Sequence, residues 1–190
     1  EKRIDMHVIT GKNRGMKLLS PGKKDRTRPT EDKIKEAVFN VLQPLKADAD
    51  VLDLFAGTGQ IGIEFLSRGA RHVVFGEKSH SMAKILRENI RKAAWEEQSV
   101  VFVRDYREVI AGWSGCYDYV YLDPPFGYHM EEEAMAMLRR LHRVKPNGLI
   151  ILESAAPAKG EEEPSSTYCG FVLLFDRMYG RKRIRVFKEE

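Results

Sequence analysis

Four consecutive residues, Asp123-Pro124-Pro125-Phe126, follow the apolar run Tyr119–Leu122 and combine a carboxylate, two prolines and an aromatic ring. Prolines fix the backbone and donate no N–H, so the carbonyls around Pro124 and Pro125 are left as acceptors. A carboxylate and a carbonyl so close together can accept both N–H protons of one amino group. The exocyclic amine of a nucleic-acid base needs that help, because its lone pair is delocalised into the ring and attacks poorly. Two acceptors favour a pyramidal nitrogen, while Phe126 can stack on the base and fix its plane. Positive charge develops on nitrogen as it attacks an alkyl donor. The Asp123 carboxylate stabilises that charge, so Asp123 need not be a strong base. Tyr128 and His129 are placed to touch the same base or its neighbour, although a solvated loop accounts for them equally well. The plainer reading of the four residues is a loop terminator beside a core phenylalanine.

A second candidate lies earlier in the chain. In Asp53-Leu54-Phe55-Ala56-Gly57-Thr58-Gly59-Gln60-Ile61-Gly62 the glycines satisfy G-x-G-x-x-G, and Glu77 lies 20 residues past Gly57. That spacing fits a dinucleotide site with Glu77 on a ribose. Asp53 opposes it, because a pyrophosphate on the helix N-terminus would be repelled by a carboxylate at the strand end. S-adenosylmethionine carries no phosphate; its α-ammonium and sulfonium are attracted by a carboxylate. Glycines would let the backbone pass close to that ligand. Phe55, Ala56, Gly57, Thr58 and Gly59 then form the cofactor-facing loop, with Glu77 accepting from ribose hydroxyls and Lys78 beside it. Asp105 stands where an adenine amino group is reached, and Tyr106 can line that pocket. A helix N-cap explains Asp105 as well, and a tight turn without a ligand remains the plain alternative for the loop.

Both loops need strands to hold them. From Asp50 onward, short apolar runs at Val51–Phe55, His72–Gly76, Val100–Val103, Tyr119–Leu122 and Leu149–Leu152 alternate with helical stretches near Gly62–Ser67, Met82–Ala94 and Glu131–Arg143. That alternation predicts an α/β fold with a mostly parallel sheet covered on both faces, which puts both loops at strand C-termini. Phe171–Phe175 and Arg183–Phe187 are too close for a helical crossover and predict an antiparallel pair turning at Tyr179-Gly180. Ahead of the sheet, Met6–Leu19 reads as two short strands around a glycine turn, and Ser20–Pro29 as a loop. Thr30 then reads as the N-cap of a helix with Ile34, Ala37, Val38, Val41 and Leu42 at helical spacing. Residues 1–46 are thus an N-terminal extension and residues 47–190 the sheet-bearing domain. Ala155–Thr167, rich in Pro, Glu and Ser, reads as an exposed mobile loop.

Net charge is only +4, but residues 1–46 carry twelve Lys/Arg against six Asp/Glu and residues 177–190 six against two. A basic rim around an acidic body suits a polyanion held at its edges. Cys116 and Cys169 have no spacing that builds a metal site, so they read as two reduced core thiols in a cytoplasmic protein that holds no metal. Trp95 and Trp113 read as packing residues. No apolar run approaches the roughly 20 residues that span a bilayer, and no signal-peptide pattern opens the chain as given.

With both loops in place, the chain resembles class I S-adenosylmethionine methyltransferases that carry an (Asn/Asp)-Pro-Pro-(aromatic) motif. More specifically, it is similar to the bacterial RsmD family of 16S ribosomal RNA guanine-N2 methyltransferases. The residues concerned run along nearly the whole chain: Ile9-Thr10-Gly11-Lys12-Asn13-Arg14-Gly15, Arg28-Pro29-Thr30 with Asp32, Lys33, Lys35 and Glu36, Asp53–Gly59, Ser67-Arg68-Gly69-Ala70, Glu77-Lys78 and Asp123–Phe126. The resemblance implies a Rossmann-like sheet of seven strands, the last antiparallel, behind a small hairpin-and-helix extension. It implies S-adenosylmethionine as cofactor and ribosomal RNA in an assembling small subunit as partner, bound by a monomer. The segment before the first strand would close over the methionine end of the cofactor, bringing Thr30 to the site. Lys12, Arg14, Lys17 and Arg28 flank that segment, so they rank ahead of the C-terminal cations as RNA contacts. Asp123 in place of Asn and the Arg-Pro-Thr segment lean toward guanine N2 over adenine N6 or a protein glutamine. Glu161–Glu163 and Arg181-Lys182-Arg183 depart from the family pattern, which leaves RNA docking open. A nicotinamide-dependent oxidoreductase and a non-catalytic RNA-binding module are the competing readings.

Overall fold

Apolar runs too short to be helices bury both faces when they pair side by side under covering helices. The computed structural model describes residues 6–21, 29–125, 130–156 and 167–189, leaving aside the side chains of residues 29–31. It orders the chain as β1 (Met6–His7), β2 (Lys17–Leu18), α1 (Pro29–Val41), β3 (Asp50–Asp53), α2 (Gln60–Ser67), β4 (His72–Gly76), α3 (His80–Ala93) and β5 (Ser99–Phe102). These are followed by α4 (Tyr106–Gly112), β6 (Tyr117–Leu122), α5 (Met130–Arg140), β7 (Val144–Ala155), β8 (Thr167–Tyr168), β9 (Phe171–Tyr179) and β10 (Lys182–Lys188). β1 and β2 form a small antiparallel pair; the other eight strands form one sheet in the order β5-β4-β3-β6-β7-β10-β9-β8. Strands β3 to β7 are mutually parallel, and β10 runs antiparallel to both β7 and β9.

From β3 the chain steps outward to β4 and β5, then returns to the other side of β3 with β6. The gap between the C-terminal ends of β3 and β6 is therefore the topological switch point, where open α/β sheets bind ligands. Ile34, Ile63 and Leu86, from α1, α2 and α3, cover one face over Val51, Val73 and Tyr121. Val109 and Leu138, from α4 and α5, cover the other over Leu52, Val120 and Ile150.

The extension is fastened to the sheet by charge as well as by apolar contact. Glu64 on α2 is 0% exposed and Lys35 on α1 is 2% exposed. The Glu64 carboxylate accepts from the backbone N–H groups of Ile9 at 2.8 Å and Thr10 at 3.0 Å, and from Arg68 Nε at 2.8 Å. Lys35 Nζ lies 3.8 Å from Glu64 and also donates to the His7 carbonyl. Gly11 lies so close to α2 that a Cβ there would sit 1.8 Å from the Ser67 carbonyl oxygen.

Several expectations need correction. Among the described residues the sheet has eight strands, because the two-residue β8 adds an edge to the seven expected. Helix α4 was not foreseen beyond its cap, since it is only seven residues long. Helix α1 begins at Pro29, so Thr30 lies in the first turn and is not the N-cap; proline is well suited to a first helical position. Neither cysteine belongs to the core: Cys116 is exposed and Cys169 is half-buried.

Candidate active site

Asp53 pairs with Phe75 on β4 and Tyr121 on β6, and Tyr121 pairs with Ile151 on β7. Glu77, Asp123 and Glu153 each lie two residues beyond that row, which returns them to the same face at the strand ends. Four carboxylates thus converge on the switch point from β3, β4, β6 and β7.

The glycines divide their work. Gly57 and Gly59 adopt left-handed φ of 54° and 84°. A Cβ at Gly59 would lie 2.2 Å from Leu86 Cδ1, and one at Gly62 would lie 2.1 Å from Phe75 Cε1, so both serve packing against α3 and β4. Only Gly57 has the open flank that close passage of a ligand requires; its nearest neighbour would be Met82 Cε at 3.8 Å.

Asp53 is 2% exposed, and its Oδ2 accepts the Gly62 N–H at 3.0 Å. Burial above all, with Glu77 nearby, pushes its pKa up to about 7 against the pull of that hydrogen bond. Glu77 Oε2 accepts from the Gly57 N–H at 2.9 Å, and its Oε1 accepts from the Ser79 N–H at 2.6 Å. Both acids therefore shape the loop first, yet a carboxylate oxygen retains a further lone pair for a ligand. Ala56 is buried, its N–H bonded to the Gly76 carbonyl at 2.8 Å.

Thr58 turns toward the extension: its hydroxyl lies 3.8 Å from Met6 Sδ and its carbonyl accepts from Asn89 Nδ2 at 2.9 Å. Asp105 is the N-cap of α4 in a full capping box with Glu108, and Lys78 Nζ lies 3.7 Å from it. Tyr106 is buried with its ring centroid 5.4 Å from that of Phe55. Its hydroxyl donates to Glu133 Oε2 at 2.7 Å, and burial together with that bond pushes its pKa up to about 12. Arg107 binds the same Glu133 through Nε and Nη2, both at 2.6 Å, tying the first turn of α5 to α4.

At the other loop Asp123 is half-buried, Pro124 buried and Pro125 exposed. Beneath them the Tyr121 hydroxyl donates to Glu153 Oε2 at 2.6 Å, and Lys182 forms an ion pair with Glu153. Burial, then the Glu153 and Asp123 carboxylates, hold the Tyr121 phenol well above its usual range, so it stays a neutral donor. Phe126, Tyr128 and Arg28 lie outside the described residues, as does the side chain of Thr30.

Lys12, Arg14 and Lys17 are exposed on the extension, but the turn bearing Lys12 and Arg14 is bonded to the far ends of α2 and α3. The Lys12 N–H reaches the Ser67 carbonyl at 2.9 Å and Asn13 Nδ2 the Ala93 carbonyl at 3.1 Å. Lys12 and Arg14 thus sit about 12 Å from the glycine loop, the length of the eight-residue α2 at 1.5 Å per residue.

Asn89 escaped the sequence reading. It is fully buried; besides holding the Thr58 carbonyl, it donates to the Leu19 carbonyl at 3.0 Å and accepts the Leu19 N–H at 2.7 Å. Its signal was a polar residue in the helical stripe of Met82, Leu86 and Ala93.

The residues present suit a cationic, phosphate-free ligand: Glu77 is bonded to the Gly57 N–H and Asp53 to the Gly62 N–H of the same glycine motif, so a pyrophosphate there would meet two acidic side chains. They therefore fit S-adenosylmethionine, which Asp53, Gly57 and Glu77 would hold. Strand order, the glycine loop after the first parallel strand and the Asp-Pro-Pro loop after the fourth define a class I methyltransferase fold. The family model of Conserved hypothetical protein 95 matches residues 6–188. The Ribosomal RNA small subunit methyltransferase D of Haemophilus influenzae is 31% identical over 97% of this chain and 94% of its own length. Its namesake from Escherichia coli K12 is 32% identical over 97% of this chain and 90% of its own. The solved structure of the Escherichia coli methyltransferase-fold protein YhhF superimposes with a TM-score of 0.83 at 27% identity, covering 98% of each chain. The chain belongs to this family, the RsmD methyltransferases.

Proposed function

We propose that this chain uses S-adenosylmethionine to methylate the exocyclic N2 amine of a guanine in small-subunit ribosomal RNA, working in the cytoplasm. One observation carries the reading: the Asp53–Gly59 loop and the Asp123-Pro124 loop face each other across the switch point between β3 and β6. Relatives named for methylation of ribosomal RNA of the small subunit support the substrate class.

When bound, S-adenosylmethionine supplies a methyl group on a cationic sulfonium. Asp53 and Glu77 attract the cationic ligand, and the open flank of Gly57 lets it lie against the backbone. Asp123 and the Pro124 carbonyl accept the two amine protons, turning the nitrogen lone pair toward the methyl group. The Asp123 carboxylate stabilises the charge that develops on nitrogen, and the proton lost after transfer passes from nitrogen through its oxygen to water. Tyr121 and Lys182 neutralise Glu153, so that acid does not compete with Asp123 for the amine.

The raised Asp53 pKa gives a pH test. Its folded value of about 7 lies above the ordinary 3.8, so the folded chain holds a proton that the unfolded chain releases. Stability from this group is full below about pH 4 and falls as pH rises toward about 7. A cationic ligand prefers ionised Asp53, so its affinity should move the other way. Calorimetry is expected to show S-adenosylmethionine binding about tenfold tighter at pH 8 than at pH 6, relative to Asp53→Asn. Parallel pH profiles for the two proteins would remove Asp53 from the cofactor site.

The function itself is tested by methyl transfer from labelled S-adenosylmethionine to small ribosomal subunits lacking the modification, followed by nucleoside analysis. Label in N2-methylguanosine is the expected result. Label in another nucleoside, or none, overturns the assigned atom.

A further inference from the structure

The C-terminal cations ranked behind the extension in the sequence, but pairing brings them to the catalytic end of the sheet. β10 runs antiparallel to β7, with Lys182 opposite Ala155, Arg183 opposite Ser154 and Ile184 opposite Glu153. Leu152 pairs with Leu122, so Glu153 is level with Asp123. Arg177 on β9 pairs with Ile184, which extends the same row to Arg177. At about 4.8 Å per strand, Arg177 stands about 14 Å from Asp123. It also shares the Asp123 face, since its neighbours Phe175 and Tyr179 pack with Tyr121 and Ile184.

Within this hairpin the cations have different work. Lys182 is held by Glu153, and Arg183 clamps Asp176 through Nε at 2.7 Å and Nη2 at 2.5 Å. These pairs fix the shape of β9 and β10. Arg177 and Arg181 are exposed and form no ion pair among the described residues. The Arg177 guanidinium lies 5.6 Å from the Phe175 ring centroid, a cation–π contact that holds it against the sheet. Arg181 stands in the turn, and its carbonyl accepts the Ala156 N–H at 2.9 Å, which pins the tip to the end of β7. Residues 171–189 carry six Lys/Arg against two acids, so this edge is positive without the extension.

We propose that the tip of the β9–β10 hairpin, through Arg177 and Arg181, grips phosphates of the polynucleotide strand that flanks the target base. The inference rests on the proposed RNA-methylating function and adds a surface to it. One exposed guanidinium level with the methyl-accepting loop, Arg177, and a second beyond it at the hairpin tip, Arg181, can neutralise phosphates while Asp123 and Pro124 hold the base. Such contacts position the strand without reading its sequence, so they act on RNA affinity and leave the chemical step alone.

The test measures binding of the full chain to unmodified small ribosomal subunits, and to a uridylate oligonucleotide, across a salt series. Each phosphate contact adds about 0.7–0.9 to the slope of log affinity against log salt. Arg177→Ala/Arg181→Ala is expected to flatten the slope by about 1.4–1.8 on both RNAs and to raise the KM for subunits about tenfold. Its kcat and S-adenosylmethionine affinity should stay within about twofold of wild type, and Arg177→Lys/Arg181→Lys should keep most of the slope. Wild-type slope and KM in the alanine variant, with wild-type methylation intact, would overturn the hairpin assignment and leave the function standing. A wild type that methylates no subunit but binds the oligonucleotide with a hairpin-dependent slope would overturn the function and leave the hairpin standing.

Discussion

Asp123→Ala is expected to lose methyl transfer by about 10³-fold while binding S-adenosylmethionine within about threefold of wild type. The two effects separate because Asp123 follows β6, whereas the residues assigned to the cofactor's cationic end stand on β3 and just after β4. Alanine removes both an acceptor for one amine proton and the charge that stabilises the nitrogen becoming cationic. Asp123→Asn keeps the acceptor and loses the charge, so it should fall between the two, about tenfold to a hundredfold below wild type. Single-turnover transfer to subunits, with calorimetry for the cofactor, reads both quantities. Turnover retained by the alanine variant would remove Asp123 from the mechanism. Equal losses in turnover and cofactor affinity would make it a loop-shaping residue.

Glu64→Ala should carry the largest cost to stability. It leaves Lys35 and Arg68, 2% and 8% exposed, without their carboxylate, and it strips the Ile9 and Thr10 N–H groups of their acceptor. Removing one partner of a buried pair costs about 3–5 kcal/mol, because the remaining charge stays desolvated. For a domain of this size that is a fall in Tm of roughly 10 °C. The extension should come free as well, so limited proteolysis is expected to cut near Thr10 in the variant and not in the wild type. Glu64→Gln keeps an acceptor and should recover part of the loss. A melting point within about 2 °C of wild type for Glu64→Ala would mean that apolar contacts of Met6, Val8 and Leu18 hold the extension unaided.

Most of the parallel part of the fold was legible in the chain. β4 falls at His72–Gly76 as its apolar run predicts, and β9 with β10 forms the expected antiparallel pair. These survive because burial on two faces leaves a continuous apolar run that tertiary contacts do not redirect. Less legible were the ends. α4 is seven residues of mixed character that a capping box holds in place, and β8 is two residues that pair only because β9 passes beside them. Short elements owe their existence to neighbours and not to local propensity.

At the site the sequence alone determined which chemistry is on offer: an acidic glycine loop that suits a cation and an Asp-Pro-Pro loop that suits an amine. Those properties belong to residue types and their spacing, which no folding step alters. Only the tertiary structure decided who touches whom. It assigned Gly59 and Gly62 to packing, turned Thr58 toward Met6, and gave the buried Asn89 and Glu64 the task of fastening the extension. It also set Lys12 and Arg14 at the far end of α2, and brought Arg177 level with Asp123 through three strand pairings. Spacing along a chain does not report such neighbours. Antiparallel register and helix direction, fixed when distant segments pack, decide which end of the sheet a residue reaches.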